Sequence, residues 1–213
     1  MVQPNRLRLA VHSPGGLGTR FLHAIKSVPK EMMTDVNKPG IHYVVDKAIE
    51  ADIEHLVFAT GQGKIVIEGY LDIQFEWEQR LKSRNKNAEL SMVDALQPTA
   101  GETNFTRQRE PLDVCHAVWC ARHIVGCEPL AMPLLDTITS GQESCLNGMF
   151  QLYEKMGVNF VAMEECAPHH AQKHGTVGVG DALEACCKVT EILEEHAKGE
   201  APSNFFINGR YVL

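Results

Sequence analysis

Short apolar runs alternate along the chain with longer stretches whose apolar residues recur every third or fourth position. Leu7–Val11, His55–Thr60, Pro129–Leu135 and Asn159–Glu164 read as strands. Between them Ile41–Ala51, Ile73–Arg84, Val114–Val125 and Ser144–Met156 carry helical spacing. In the second of these, Ile73, Trp77 and Leu81 fall on one predicted face, and Pro111 precedes the third. Asn85–Asn104 is polar and turn-rich, and reads as loop with one short strand around Leu90–Val93. The tail, Thr176–Leu213, is richer in strand and turn signals, with a polar interruption at Glu194–Asn204. Strands alternating with helices predict an α/β fold, a Rossmann-like, doubly wound, mainly parallel mixed sheet whose ligands sit at the C-terminal ends of strands. With no internal repeat or long linker, residues 1–213 read as a single domain.

Composition narrows the partners. Hydrophobic residues at 44% and charged residues at 22% argue for a packed core rather than disorder. A formal charge of −7 offers no electrostatic reason to expect nucleic acid or an anionic membrane. No window approaches the ~20 apolar residues of a membrane span, and Met1–Arg8 lacks the apolar core of a signal peptide. Seven cysteines, an odd number without a CxxC pair, read as reduced thiols of a cytoplasmic protein.

The candidate chemistry begins just past the first strand. Gly16-Leu17-Gly18-Thr19-Arg20 is a glycine loop, and Lys30 follows in Pro29-Lys30-Glu31-Met32. Glycines let a backbone approach a phosphate closely, and Arg20 and Lys30 would add full positive charges beside the same phosphates. Phe21 stands where a dinucleotide fingerprint has its third glycine, and no GK[ST] completes a Walker loop. Asp136, after an apolar strand, reads on its own as a turn or cap residue. His116, Cys120, His123 and Cys127 share one predicted helix face, but four ligands on one helix cannot close a tetrahedron without a second element. Cys166, His169, His170 and His174 form another cluster of metal-ligand residue types, in a loop.

The whole string Gly16–Arg20, Lys26, Pro29–Met32 and Lys38-Pro39 resembles the signature of sugar-nucleotide pyrophosphorylases, specifically the bacterial UTP–glucose-1-phosphate uridylyltransferase family. Further segments match in order: Phe105-Thr106-Arg107-Gln108-Arg109-Glu110-Pro111-Leu112, Leu134-Leu135-Asp136, Glu164–Pro168 through Gly175-Thr176-Val177, Glu194, Ala201–Asn204, and Gly209-Arg210-Tyr211. The resemblance implies a fold of the nucleotidyltransferase type. UTP phosphates would lie on Gly16, Leu17, Gly18 and Thr19, with Arg20 and Lys30 as the catalytic cations. Gln108 would read uracil, Gly175 and Glu194 would meet glucose, and Asp136 would bind Mg2+. The implied reaction forms UDP-glucose and pyrophosphate from UTP and glucose 1-phosphate, and a homo-oligomer is left open.

Departures from the family pattern set the alternatives. His12-Ser13-Pro14-Gly15 replaces the family's Phe-Pro-Val-Ala, Asp113 replaces a glycine near the base, and Glu195 replaces a lysine that grips the sugar's phosphate. Asn208–Leu213 stops inside a strand-like run, so the chain is expected to lack the family's C-terminal part. The alternative is a diverged, catalytically weak or inactive paralogue that binds nucleotide or a full-length relative. An altered nucleotide or sugar preference is a third reading.

Overall fold

The computed structural model describes residues 6–14, 16, 18, 22–94, 97–99, 101–134, 144–167, 175–183, 185–194 and 200–213. From the N-terminus, β1 (Leu9–His12) leads past the glycine loop to α1 (Leu22–Ile25), a single 3-10 turn at Lys30–Met32, and the small ribbon of β2 (Thr34–Asp35) and β3 (Lys38–Pro39). There follow α2 (Gly40–Glu50), β4 (His55–Thr60), α3 (Ile65–Leu71), α4 (Phe75–Ser83), α5 (Asn87–Asp94) and β5 (Thr103–Arg107). Then come α6 (Asp113–Val125), β6 (Leu130–Pro133), α7 (Cys145–Met156), β7 (Phe160–Glu165), β8 (Thr176–Leu183), β9 (Cys186–Leu193) and β10 (Phe205–Val212).

The main sheet runs β5-β4-β1-β6-β10-β8-β9, with β7 paired to β10 off that path. β1, β4, β5 and β6 are parallel, while β10 lies antiparallel to β6, β7 and β8. Side-chain alternation along the parallel strands builds two cores. Ala10, Leu56, Phe58 and Ala131 face α2, α3 and α7, whereas Leu9, Val11, Val57, Leu130 and Met132 face α6. Helices on both faces of a mainly parallel mixed sheet are the architecture the sequence predicts.

β10 joins the parallel part to the antiparallel part. Its C-terminal half pairs with β6 and its N-terminal half meets β8, while its other edge pairs with β7 through a register shift between Ile207 and Tyr211. Gly209 sits in that shift at φ +79°, and a Cβ there would come within 3.1 Å of Leu134. Only glycine combines that backbone angle with so close an approach.

Three local expectations change. The short strand expected around Leu90–Val93 is instead the middle of α5, which buries no residue. Ala88, Glu89, Leu90 and Met92 are strong helix formers, and the Lys86–Glu89 ion pair (2.6 Å) braces the first turn. The face shared by Ile73, Trp77 and Leu81 is not the buried one: α4 begins at Phe75, and Ile73 and Trp77 are 60% and 50% exposed, while Leu81 is buried. β5, within a stretch read as loop and recognition segment, is a strand because all five residues pair with β4. α3 is a further helix that the spacing did not predict.

His12 closes β1 inside the sheet. Its ring stacks on Phe58 at 5.1 Å, and Phe58 stacks in turn on Phe105 at 5.5 Å, a ladder of rings across three parallel strands. Among the described residues neither buried ring nitrogen makes a well-formed hydrogen bond, and only the Pro133 carbonyl acts on the ring as an acceptor. Burial lowers the His12 pKa to about 4, against a weak opposing pull from the Pro133 carbonyl. The unfolded chain therefore takes up this proton first, near pH 6.5. The stability that neutral His12 allows is whole above that pH and is lost as pH falls towards 4, by about 3 kcal/mol for a shift of this size. His12→Phe keeps the stacking and removes the titration. Urea unfolding at pH 7 and pH 4.5 should show a clearly smaller acid loss in the variant, and an equal loss in both proteins would refute this role for His12.

Candidate functional site

Because β1, β4 and β5 are parallel, the segments after all three emerge at one edge of the sheet. They line a cleft of about 440 Å³ that includes Gly16, Lys30, Gly61–Lys64, Gln108, Arg109 and Pro111. This is the size of a small-molecule pocket.

The glycine loop carries Lys30 against it. Gly18 has φ +62°, and a Cβ there would approach Ile25 Cγ2 to 3.2 Å and Lys30 Cβ to 3.3 Å. A Cβ on Gly16 would stand 3.3 Å from Lys30 Nζ. The lysine stem thus lies along the loop, with its ammonium beside Gly16 in the cleft. Any side chain at either glycine would push it away.

Lys64, from the loop after β4, fastens this arrangement from behind. Its ammonium donates to the Pro14 carbonyl and, at 3.1 Å, to the Gly16 carbonyl. It also bonds both carboxylate oxygens of Glu31 at 3.0 Å. The Glu31 side chain is fully buried and that of Lys64 is 12% exposed. Sequence reasoning passed over Lys64, although Gly61-Gln62-Gly63-Lys64 repeats the signal that marked the first loop: glycines and a cation immediately after an apolar strand.

On the far side of the cleft Gln108 is buried and tethered. Its backbone N–H donates to the Thr60 carbonyl (2.8 Å) at the end of β4. Its side-chain Nε2 donates to the Asp113 carbonyl (3.1 Å) and lies 3.2 Å from His116 Nδ1. His116 Nε2 in turn faces Cys120 Sγ at 3.7 Å. Asp113, the first residue of α6, has φ +60°, the left-handed region, and its own side chain is exposed.

Gly175 and Glu194 form a separate group. The β8–β9 pairing Thr176↔Leu193 brings them together, so that a Cβ on Gly175 would lie 3.3 Å from Glu194 Cγ. Burial raises the Tyr211 pKa, and the nearby Glu194 charge adds to the shift. Neither Gly175 nor Glu194 lines the 440 Å³ cleft.

Of the residues singled out from sequence, Gly16, Lys30 and Gln108 thus line one cleft, with Gly18 packed against the Lys30 stem. Leu17, Thr19, Arg20, Asp136 and Glu195 lie outside the described residues, as do His169, His170 and His174. Among the described residues no group of three or more His, Cys, Asp or Glu side chains is placed to hold a metal ion. On α6 His116 meets Cys120, whereas His123 and Cys127, the latter beyond the helix end at Val125, are exposed. Among the described residues no helix is long and apolar enough to cross a membrane.

The chain is 36% identical over 208 residues to a UTP–glucose-1-phosphate uridylyltransferase of Bacillus subtilis (strain 168), covering 98% of this chain and 71% of that protein. It is 36% identical over 213 residues to the enzyme of that name from Komagataeibacter xylinus, covering 100% of this chain and 74% of the relative. In structure it is similar to a UTP-bound UGPase from Acinetobacter baumannii, with a TM-score of 0.90 and 36% identity over 97% of this chain and 74% of the other. No family model matches the chain.

The pin at Lys64 has a measurable consequence. Lys64→Met removes the ammonium and leaves the buried Glu31 carboxylate uncompensated, together with two loop carbonyls. A loss of about 3 kcal/mol in urea unfolding is expected. Adding Glu31→Gln should restore part of it, because the stranded charge is then gone. A Lys64→Met protein as stable as the parent would show that the ion pair does not hold the loop.

Proposed function

The chain belongs to the UTP–glucose-1-phosphate uridylyltransferase family, and we propose that it forms UDP-glucose and pyrophosphate from UTP and glucose 1-phosphate. A phosphate oxygen of glucose 1-phosphate attacks the α-phosphorus of UTP. One P–O bond forms there, and the bond to the departing pyrophosphate breaks. Such chemistry needs charge neutralised and reactants aligned more than it needs a proton-transfer residue.

The observation that carries this reading is the packing of Lys30 along Gly16 and Gly18, in one cleft with Gln108. UTP lies across it, with its phosphates over the loop and its base towards Gln108. Lys30 neutralises phosphate oxygens while Lys64, drawn to Glu31 and two carbonyls, keeps the loop in place beneath them. Arg20 supplies a second cation. Gly175 and Glu194, one without a side chain and one with two acceptor oxygens, suit a sugar face rich in hydroxyls.

Mg2+ belongs to the same reading. Asp136 follows β6, the strand beside β1, and offers the hard carboxylate oxygen that the ion takes, with phosphate oxygens and waters to complete its shell. Bound there, it would supply further neutralisation of the phosphates. One domain spanning residues 1–213 carries these parts, and seven cysteines without a CxxC pair suit the reducing cytoplasm.

Purified protein supplied with UTP, glucose 1-phosphate and Mg2+ should release pyrophosphate and form UDP-glucose. Lys30→Ala should lower kcat/KM by about 100- to 1000-fold, the usual effect of removing one preorganised charge-stabilising donor. Asp136→Ala should abolish the magnesium-dependent rate. Absence of product at saturating substrates would count against the reaction. A Lys30→Ala enzyme of undiminished kcat/KM would remove Lys30 from the phosphate site.

A further inference from the structure

We propose that His116 is a positioning residue for base selection: it locks the Gln108 amide so that the cleft offers a hydrogen-bond acceptor, and not a donor, to position 3 of the pyrimidine. This rests on the reading that places the base against Gln108.

The orientation of the amide follows from what surrounds it. A backbone carbonyl only accepts, so the end of the amide at the Asp113 oxygen is the nitrogen, Nε2. That nitrogen carries two hydrogens. One goes to the Asp113 carbonyl at 3.1 Å, and the other faces His116 Nδ1 at 3.2 Å. Nδ1 must therefore be an acceptor, which puts the proton of the neutral ring on Nε2, directed at Cys120 Sγ 3.7 Å away. With both amide hydrogens committed to the first turn of α6, Oε1 is the atom Gln108 can present to a ligand. Gln108 is 3% exposed and lines the cleft, so this atom acts in a largely desolvated place.

Uracil and thymine carry an N3–H donor that meets such an acceptor. Cytosine carries a bare N3 acceptor at the same position, and acceptor would face acceptor. A freely turning amide would serve either base by flipping. Here a flip would set Oε1 against the Asp113 carbonyl and would force the His116 proton from Nε2, where it faces Cys120 Sγ, to Nδ1, so the side chain resists it. His116 thereby acts on specificity without touching the nucleotide.

The test compares the Kd values of UTP and CTP by titration calorimetry on the intact chain. The parent should favour UTP. His116→Phe keeps a flat ring but has no acceptor, and should reduce the UTP-over-CTP ratio by about tenfold or more. His116→Asn, which can place an amide oxygen near the Nδ1 position, should restore most of it, a rescue that loss of packing alone would not show. His116→Leu serves as the acceptor-free variant if thermal melting shows that His116→Phe does not fold. An unchanged ratio in the acceptor-free variant overturns the proposal, as does a parent that binds CTP as well as UTP. Gln108→Leu separates the two levels of inference. If it collapses the ratio while His116→Phe does not, His116 alone is dismissed. If Gln108→Leu leaves the ratio intact, the base does not lie on Gln108 and both readings fall.

Discussion

The buried ion pair between Lys64 and Glu31 is the constraint on which the cleft depends. Taking a carboxylate and an ammonium out of water is costly, and the pair recovers that cost only when every remaining donor and acceptor is used. Lys64 meets the condition by spending its hydrogens on Glu31 and on the carbonyls of Pro14 and Gly16. The glycine loop is thus held by its backbone, from the side facing the protein. Glu31 and Lys30 are neighbours in one 3-10 turn, with Glu31 buried beneath the loop and Lys30 running along its open face. A shift of that turn would move the buried anion and the cleft cation together. Stability and charge placement are therefore one problem here.

The sheet explains why the pin can reach three separate segments. Parallel pairing aligns β1, β4 and β5, so Pro14 and Gly16, Lys64 and Gln108 emerge on the same edge although they are far apart in the chain. The ring ladder His12–Phe58–Phe105 runs just beneath, across those same three strands. Its histidine makes no well-formed hydrogen bond among the described residues, so the ladder holds chiefly through packing of neutral rings. The antiparallel β10 then carries the Gly175–Glu194 group as a distinct unit. The Gly175 carbonyl accepts from Ile207 N–H at 2.9 Å, which couples that group to the strand lying beside β6.

Much of this was legible in the sequence where one residue type admits one physical role. Apolar runs at His55–Thr60 and around Leu130–Pro133 could only be interior strands, and the helical spacing of Ile41, Val45 and Ala48 required a covering helix. The glycine loop alone could have been an ordinary strand-to-helix turn, and it stood out only together with Lys30 and Gln108 in the family-like string. Other features depended on tertiary pairing that no local pattern carries. β5 alternates polar residues around a single Phe105 and is a strand because β4 is there to pair with it. Leu90 and Met92 in α5 look like a buried strand, yet these residues are good helix formers and the segment is a helix that buries none of them. Lys64 was missed because its importance lies in Glu31, 33 residues away in sequence and joined to it only by folding.

Asp113 shows how a departure from a family pattern can be absorbed. A side chain replaces glycine at φ +60°, where an L-residue costs about 1 kcal/mol and Asp is among the better tolerated. Read from sequence, the change brings a negative charge towards the base. In the fold, the Asp113 side chain is exposed, and the group that holds Gln108 is the main-chain carbonyl, which glycine and aspartate share. Its geometry is set by the left-handed backbone at the start of α6 rather than by the side chain. The position therefore constrains φ and the direction of one carbonyl, and whatever residue can adopt them preserves the tether on Gln108. At Asp113 the fold shows a strained backbone and an outward side chain, with the Gln108 contact made by the main chain.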